Sequence, residues 1–113
     1  MHRGAPLLDE IEALASPSEL WVRIKSRDDV ESADLHLRWR HEHRVVHPEL
    51  SPPASGFRRA HVALPWQALS VPPGDEVEIY VEARLRGTPG ARLPDENQRR
   101  LLLPRPGAWT LEA

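Results

Sequence analysis

The sequence predicts an all-β protein: an antiparallel β-sandwich of six or seven strands, preceded by one short helix. Two observations predict the sandwich. Apolar and polar residues alternate over several segments, as they do in strands that bury one face. Turns containing proline and glycine separate these segments, and no long helical pattern lies between them that could connect parallel strands. We place the helix in an N-terminal extension, residues 1–17, and the sandwich in residues 18–113.

The N-terminal segment has the apolar spacing of an amphipathic helix. Four apolar residues recur at this spacing: Leu7, Leu8, Ile11 and Leu14. Pro6 suits a first helical turn, the acidic residues after it favour a helix start, and Pro17 would end the helix. A helix of about ten residues is marginal alone in water. We therefore expect it to dock on the sandwich and cover Trp21, or to contact a second protein.

The strands are predicted from alternation along the chain. The longest alternating run is DEVEIYVEARLRG, and PWQAL has the pattern of one helical turn. The predicted strands lie in residues 19–27, 33–40, 44–47, 58–64, 75–87, 99–104 and 108–112, with a turn at 87–90. The predicted core comprises Leu20, Val22, Ile24, Leu35, Leu37, Trp39, Val62, Leu64, Val77, Ile79, Val81 and Leu85.

Composition and charge disfavour several classes of partner. Acidic residues outnumber lysine and arginine by 17 to 15, so the chain lacks the positive surface that nucleic acids and anionic membranes attract. Cysteine is absent, which excludes disulfides and thiolate metal sites. No apolar run approaches the ~20 residues that span a bilayer. Acidic residues also interrupt the N-terminal segment, which therefore lacks the uncharged apolar region of a signal peptide. Together, these observations predict no nucleic-acid partner, no membrane insertion and no signal peptide.

The order of the predicted strands has a recognisable pattern. A Leu-x-Leu-x-Trp strand is followed by a proline-rich loop, a strand ending in Leu64-Pro65, and the segment EIYVEARLRGTPGARL. Over roughly residues 18 to 105 this order resembles the immunoglobulin-like and fibronectin type III-like sandwich modules of bacterial envelope proteins. The resemblance implies a spacer, adhesion or partner-binding role. It favours an extracytoplasmic location, although the residues themselves leave the compartment open. The chain departs from it in having no cysteine pair beside Trp39 and in placing Tyr80 on a polar face.

Four of the six histidines lie in the segment SADLHLRWRHEHRVVHPEL, and three of them are candidate metal ligands. His41 and His43 form a His-x-His pair that could hold Zn²⁺ or Cu²⁺ on one side of a strand, with His47 or Glu42 as a third ligand. The polar run RHEHR is also typical of a hairpin connection, and its arginines disfavour a cation. We therefore favour a solvated turn and expect no metal and no cofactor.

The outward residues of two strands form a candidate protein-binding surface. If strand 33–40 lies beside strand 75–87, basic residues of the first face acidic residues of the second. Arginine and tyrosine are favoured as interface anchors. The candidate residues are Trp21, Arg38, Arg40, Glu78, Tyr80 and Glu82. His36 and His61 are also placed at outward positions, where we expect them to be exposed to water.

No nucleophile motif, phosphate-binding loop or metalloprotease motif occurs in the chain. The sequence therefore predicts a non-catalytic module that binds another protein or a neighbouring domain, or that serves as a spacer in a larger assembly. A second copy of the chain is one candidate partner. Two alternatives stay open: glycan binding through exposed tryptophan and tyrosine, with Trp21 and Trp66 as the residues to test, and histidine-based binding of a transition metal.

Overall fold

The computed structural model describes residues 8–85, 92–93 and 101–106, with the backbone alone for residues 92–93. This part of the chain is built almost wholly from strands. They are β1 (Leu8–Ala15), β2 (Glu19–Arg27), β3 (Val30–Trp39), β4 (Glu42–Val46), β5 (Phe57–Pro65), β6 (Glu76–Leu85), β7 (Arg92–Leu93) and β8 (Leu101–Pro104). A one-turn helix, α1 (Trp66–Leu69), follows β5, where the sequence predicted it.

The described strands form two sheets, and every pairing is antiparallel. The first sheet has the order β1-β2-β5, and the second contains β4-β3-β6. The far edge of β6 pairs with β8 over the first part of β6 and with β7 near its end. This confirms the all-β antiparallel sandwich that alternation predicted. No helix in this part of the chain is long and apolar enough to cross a membrane.

The core lies between the two sheets. Nine of the twelve predicted core residues are buried, and the other three, Val62, Leu64 and Leu85, are half-buried against them. The structure adds core residues that the strand pattern did not identify, and these come from loops, from α1 and from the start of β3. They are Val30, Leu50, Trp66, Leu69 and Val71.

The prediction of an N-terminal helix is wrong. Residues Leu8–Ala15 form β1, which pairs with β2 as the edge strand of the first sheet. Ile11 and Ala13 are half-buried toward the core, whereas Leu14 is 64% exposed. The leucine spacing fitted a helix, but β2 offers β1 a row of backbone hydrogen bonds that a short helix in water cannot match. The predicted helical Leu7 lies outside the described residues.

Two other boundaries differ from the sequence prediction. β4 begins at Glu42, two residues earlier than predicted, and a two-residue turn, Arg40 and His41, joins it to β3. Arg40 adopts a left-handed φ of 51° in this turn. The predicted turn at 87–90 and the predicted strand at 108–112 fall outside the part of the chain that the structure describes.

Candidate functional site

An exposed apolar row crosses the outer face of the first sheet. Trp21 on β2 lies in register between Leu14 on β1 and Ala63 on β5. Because Leu20 and Val22 point into the core, alternation turns Trp21 outward, and it is 40% exposed. Leu14 and Ala63 are exposed as well. We call Leu14, Trp21 and Ala63 the Trp21 row; adjacent exposed apolar groups of this kind mark interaction sites.

Two charged rows follow the Trp21 row along the strands. The second row is Glu12, Arg23 and His61, and the third row is Glu10, Lys25 and Arg59. Successive rows are two residues apart, which is about 7 Å along a strand. In both rows β1 supplies an acid, whereas β2 and β5 supply basic groups. The charge on this face therefore changes sign across the sheet.

Two acidic residues of β1 form ion pairs with two basic residues of β2. Arg23 Nη2 donates to Glu12 Oε1 over 2.9 Å. Lys25 Nζ lies 3.4 Å from Asp9 Oδ2 and 4.2 Å from the centre of the Phe57 ring. These pairs are exposed, so each contributes at most about 1 kcal/mol to stability. They do, however, fix the direction of the Arg23 and Lys25 side chains.

Glu10 and Arg59 are left without an ion pair among the described residues. Both are exposed, and they lie at opposite ends of the third row with Lys25 between them. The face therefore carries an uncompensated acid on β1 and an uncompensated base on β5.

Residues 49–52 form a wall beside β5 and make a groove of this face. The Ser51 N–H donates to the Arg59 carbonyl over 2.8 Å, and the Arg59 N–H donates to Ser51 Oγ over 3.0 Å. The groove encloses about 1240 Å³, and both Leu14 and Trp21 line it. The ring of His61 lies 5.1 Å from that of Trp21 at an interplanar angle of 55°. This contact holds the indole in place on the groove floor.

Arg58 fixes the wall. Its Nε donates to the Ser51 carbonyl over 2.8 Å, its Nη1 to the Val30 carbonyl over 2.7 Å, and its Nη2 to the Leu50 carbonyl over 3.3 Å. A guanidinium spreads five N–H donors over three nitrogens in a rigid plane and so reaches three separate carbonyls at once, whereas the three donors of an ammonium all lie on one nitrogen. Arg58 therefore ties the loop that lines the groove to the start of β3.

We expect Arg58→Lys to lower the free energy of unfolding by about 1–2 kcal/mol, because at least one of the three carbonyls, two of them in partly buried contacts, loses its donor. Urea denaturation measures the change. Arg59→Lys is the matched control, since the Arg59 side chain is exposed, and it should change the stability by less than about 0.5 kcal/mol. Equal effects at the two positions would show that the fork does not hold the wall.

The structure separates the six predicted protein-binding residues. Trp21 lies on the outer face of the first sheet, and the others lie on the second sheet or at its end. β3 and β6 are neighbours, as predicted, with Arg38 opposite Glu78 and His36 opposite Tyr80. The five residues on this side are Arg38, Arg40, Glu78, Tyr80 and Glu82.

His36 is buried, contrary to the prediction that it is exposed to water. It is 8% exposed, and its ring stacks 4.5 Å from Tyr80 and 5.0 Å from His43. Its Nδ1 lies 2.8 Å from His43 Nε2. Its Nε2 lies 2.6 Å from Glu82 Oε1, without the alignment of a good hydrogen bond. Alternation places His36 on the outer face correctly, but neighbours from β4 and β6 cover the ring.

The remaining polar groups of the second sheet also pair with each other. Arg40 Nε and Nη2 lie 2.5 Å and 3.1 Å from the carboxylate of Asp75. The hydrogen bond and the charge of Asp75 raise the pKa of Arg40. Arg38 Nη1 lies 3.9 Å from Glu78 Oε1. The second sheet therefore satisfies much of its outer polar surface internally.

The three candidate metal ligands do not converge. His43 contacts His36, His47 Nδ1 lies 2.8 Å from Asp34 Oδ1, and His41 is exposed in the turn after β3. Across residues 8–85 and 101–106, no three histidine, aspartate or glutamate side chains are placed to hold a metal ion.

We expect Zn²⁺ and Cu²⁺ to leave the melting temperature unchanged, because a metal that binds only the native state must stabilise it and these histidines diverge. Thermal denaturation with and without each metal measures this. The variant carrying both His41→Ala and His43→Ala is the comparison. A metal-dependent rise that this variant loses would contradict the expectation.

Trp66 is not available to a ligand, so the prediction that it is an exposed glycan contact is wrong. It is 1% exposed, and its Nε1 donates to the Ser16 carbonyl over 2.7 Å. Sequence reasoning also missed that Leu14, Arg59 and His61 share a surface with Trp21. No local signal could show this, because it depends on the pairing of β1 and β5 with β2.

Comparison with known proteins gives one weak similarity in fold. No protein-family model matches the chain, and no curated protein matches it. Among solved structures, the crystal structure of a bromine derivative of BhCBM56, a carbohydrate-binding module, is similar with a TM-score of 0.40 and 12% sequence identity. The alignment covers 83% of this chain and 99% of that one. A similarity at this level assigns neither a family nor a function to the chain.

Proposed function

We propose that the protein is a non-catalytic β-sandwich module that binds another protein through the outer face of its first sheet. The observation that carries the proposal is the Trp21 row, which leaves Leu14 and Trp21 exposed side by side on neighbouring strands. Tryptophan is enriched among the residues that dominate the affinity of protein interfaces. Trp21 is also held by His61, so little side-chain freedom is lost when a partner covers it.

The contrast between the two outer faces supports the choice of the first sheet. On the second sheet, His36 is covered by His43 and Tyr80, and Arg38 lies near Glu78. A partner there would have to replace contacts that already exist, which reduces the net gain from binding. On the first sheet a partner would cover Leu14 and Trp21 side by side, whereas the exposed Val45 and Leu102 of the second sheet lie apart on β4 and β8. We accordingly propose Trp21, rather than Arg38, as the centre of the site.

Two features of the groove support a non-catalytic role. The hydroxyl oxygen of Ser51 accepts the Arg59 backbone N–H, and the Glu12 carboxylate pairs with Arg23 in contact with water. A nucleophile needs an adjacent base, and a general acid or base needs a tuned environment. Neither group has these surroundings.

We further propose that the module belongs with the immunoglobulin-like and fibronectin type III-like sandwiches of bacterial envelope proteins. The order of strands predicted from its sequence supports this proposal.

Selection from a random-peptide display library tests the proposal directly. The wild-type chain is the bait, without counter-selection, and each selected peptide is then measured against a variant with Leu14→Ser and Trp21→Ser. We expect peptides that bind the wild type at least about tenfold more tightly than the variant, because truncating an interface anchor costs ~2 kcal/mol or more. Arg38→Gln, on the opposite sheet, should leave the affinity unchanged. Peptides that lose affinity with Arg38→Gln and keep it in the double-serine variant would overturn the proposal.

Glycan binding is a second candidate, and the surroundings of Trp21 favour it specifically. An exposed indole beside His61, with Arg23 and Glu12 about 7 Å along the strands, combines an apolar ring face with hydrogen-bond donors and acceptors. Screening the wild type and Trp21→Ala on a glycan array tests this function. Retained glycans that Trp21→Ala loses, together with no selected peptide, would favour it over protein binding.

A further inference from the structure

We infer that the partner at this face is a second copy of the chain, related to the first by a twofold axis that runs along β2. The inference rests on the proposed function, because it uses the same surface and names its occupant. It comes from the way charge is distributed across the first sheet. The acidic column lies on β1, and the column that keeps free positive charge lies on β5.

A twofold axis parallel to the strands makes this face complementary to itself. When two such faces stack, the axis along β2 places β1 of one copy over β5 of the other. Glu10 then faces Arg59 of the second copy, and Arg59 faces its Glu10. Within the three rows, they are the one carboxylate and the one guanidinium that have no ion pair among the described residues. A contact of this kind is isologous, so each ion pair occurs twice.

The other two rows are also matched by this arrangement. Glu12 faces His61 of the second copy, Leu14 faces its Ala63, and the two Trp21 side chains meet on the axis, where they bury each other's exposed rings. Arg23 also lies on the axis and meets its own copy. Its ion pair with Glu12, at 2.9 Å, offsets that repulsion.

Lys25 is the other basic residue on the axis. Its contact with Asp9, at 3.4 Å, offsets the charge of the facing Lys25.

A twofold axis at right angles to the strands would give a different arrangement. It would place β1 over β1 of the second copy and bring Glu10 and Glu12 against the acidic residues of that strand. Like charges at close range disfavour that arrangement. The charge pattern therefore selects one of the two ways of stacking the faces.

The wall of the groove fits the same arrangement. Residues 49–52 lie at the outer edge of β5, so the axis carries them to the open edge of β1 in the second copy. Three strands about 4.8 Å apart and some eight residues long cover a face of about 14 by 26 Å. This is small for a stable dimer. We expect weak association, with a dissociation constant between about 10 μM and 1 mM.

Sedimentation equilibrium with charge-swapped variants tests the inference. Arg59→Glu and Glu10→Arg each turn two attractions into two repulsions, and each should weaken self-association about tenfold or more. The double variant restores opposite charges across the axis and should return to within about threefold of the wild type. Arg38→Glu makes the same charge change on the second sheet and should have no effect. A double variant that associates no better than the single variants would overturn the inference.

The outcome for the wild type separates this inference from the proposed function. A chain that stays monomeric at about 1 mM, the upper end of the range of dissociation constants expected for a contact of this size, would overturn the dimer. If that monomer still selects peptides that depend on Trp21, protein binding stands and only the identity of the partner is wrong. If it selects none, both proposals fail. Both proposals are supported if Trp21→Ser abolishes self-association, each single charge change weakens it, and the double charge variant recovers it.

Discussion

Replacing Trp66 with alanine should lower the free energy of unfolding by about 3–5 kcal/mol, the usual cost of truncating a buried tryptophan. Trp66 is 1% exposed and opens α1 directly after β5. Its side chain donates to the Ser16 carbonyl and its backbone N–H to the Ser18 carbonyl. The substitution therefore leaves a cavity in the core and removes a donor from the turn between β1 and β2. Guanidinium denaturation measures the loss.

Trp21→Ala is the matched control, because it makes the same chemical change on the outer face of the first sheet. Trp21 is exposed and its removal leaves no enclosed cavity, so we expect a loss below about 1 kcal/mol. Comparable losses from the two substitutions would mean that Trp21 is not the free surface on which the binding proposals depend.

Ile79→Ala should cost about 2–5 kcal/mol. Ile79 is fully buried in the middle of β6, opposite Leu37 on β3 and Leu101 on β8. Its side chain faces the first sheet, so truncation opens a cavity that the strand pairings on both sides prevent from closing. The change is measured by urea denaturation. The slope of the unfolding free energy against urea concentration should be the same in the variant and the wild type, which would confirm that the same surface is exposed on unfolding.

Glu78→Ala, one residue away, controls for any general sensitivity of β6. Glu78 points to the outer face near Arg38, and the loss of such a pair costs about 1 kcal/mol or less. A larger loss at Glu78 than at Ile79 would mean that the inward and outward faces of β6 are assigned the wrong way round.

Alternation predicted the central strands because each buries one face over many residues. β2, β3 and β6 have inward residues at every second position, so only one orientation buries the apolar set. β1 has a weaker pattern: its inward residues Ile11 and Ala13 are less apolar as a set, and Leu14 points outward. Its strand form depends on pairing with β2, which is a tertiary effect that local spacing does not reveal.

The candidate site was predictable only in part for a similar reason. Alternation placed Trp21 on an outer face, and the structure leaves it exposed. The same rule placed His36 on an outer face, where His43 and Tyr80 cover it. Alternation along a strand fixes the side of the sheet to which a residue points, but the pairing register between strands decides which neighbours surround it. The grouping of Trp21 with Leu14 likewise required the structure.

The most direct test of the account is to map amide chemical shifts of isotope-labelled protein as a peptide selected on the wild-type chain is added. We predict that the perturbed amides cluster on the first sheet around Trp21, Arg23 and His61, together with the indole N–H of Trp21. The amide chemical shifts of Arg38 and Tyr80 on the opposite sheet should not change. Perturbations centred on Arg38 and Tyr80, with the Trp21 signals unchanged, would contradict the claim that the outer face of the first sheet is the binding surface.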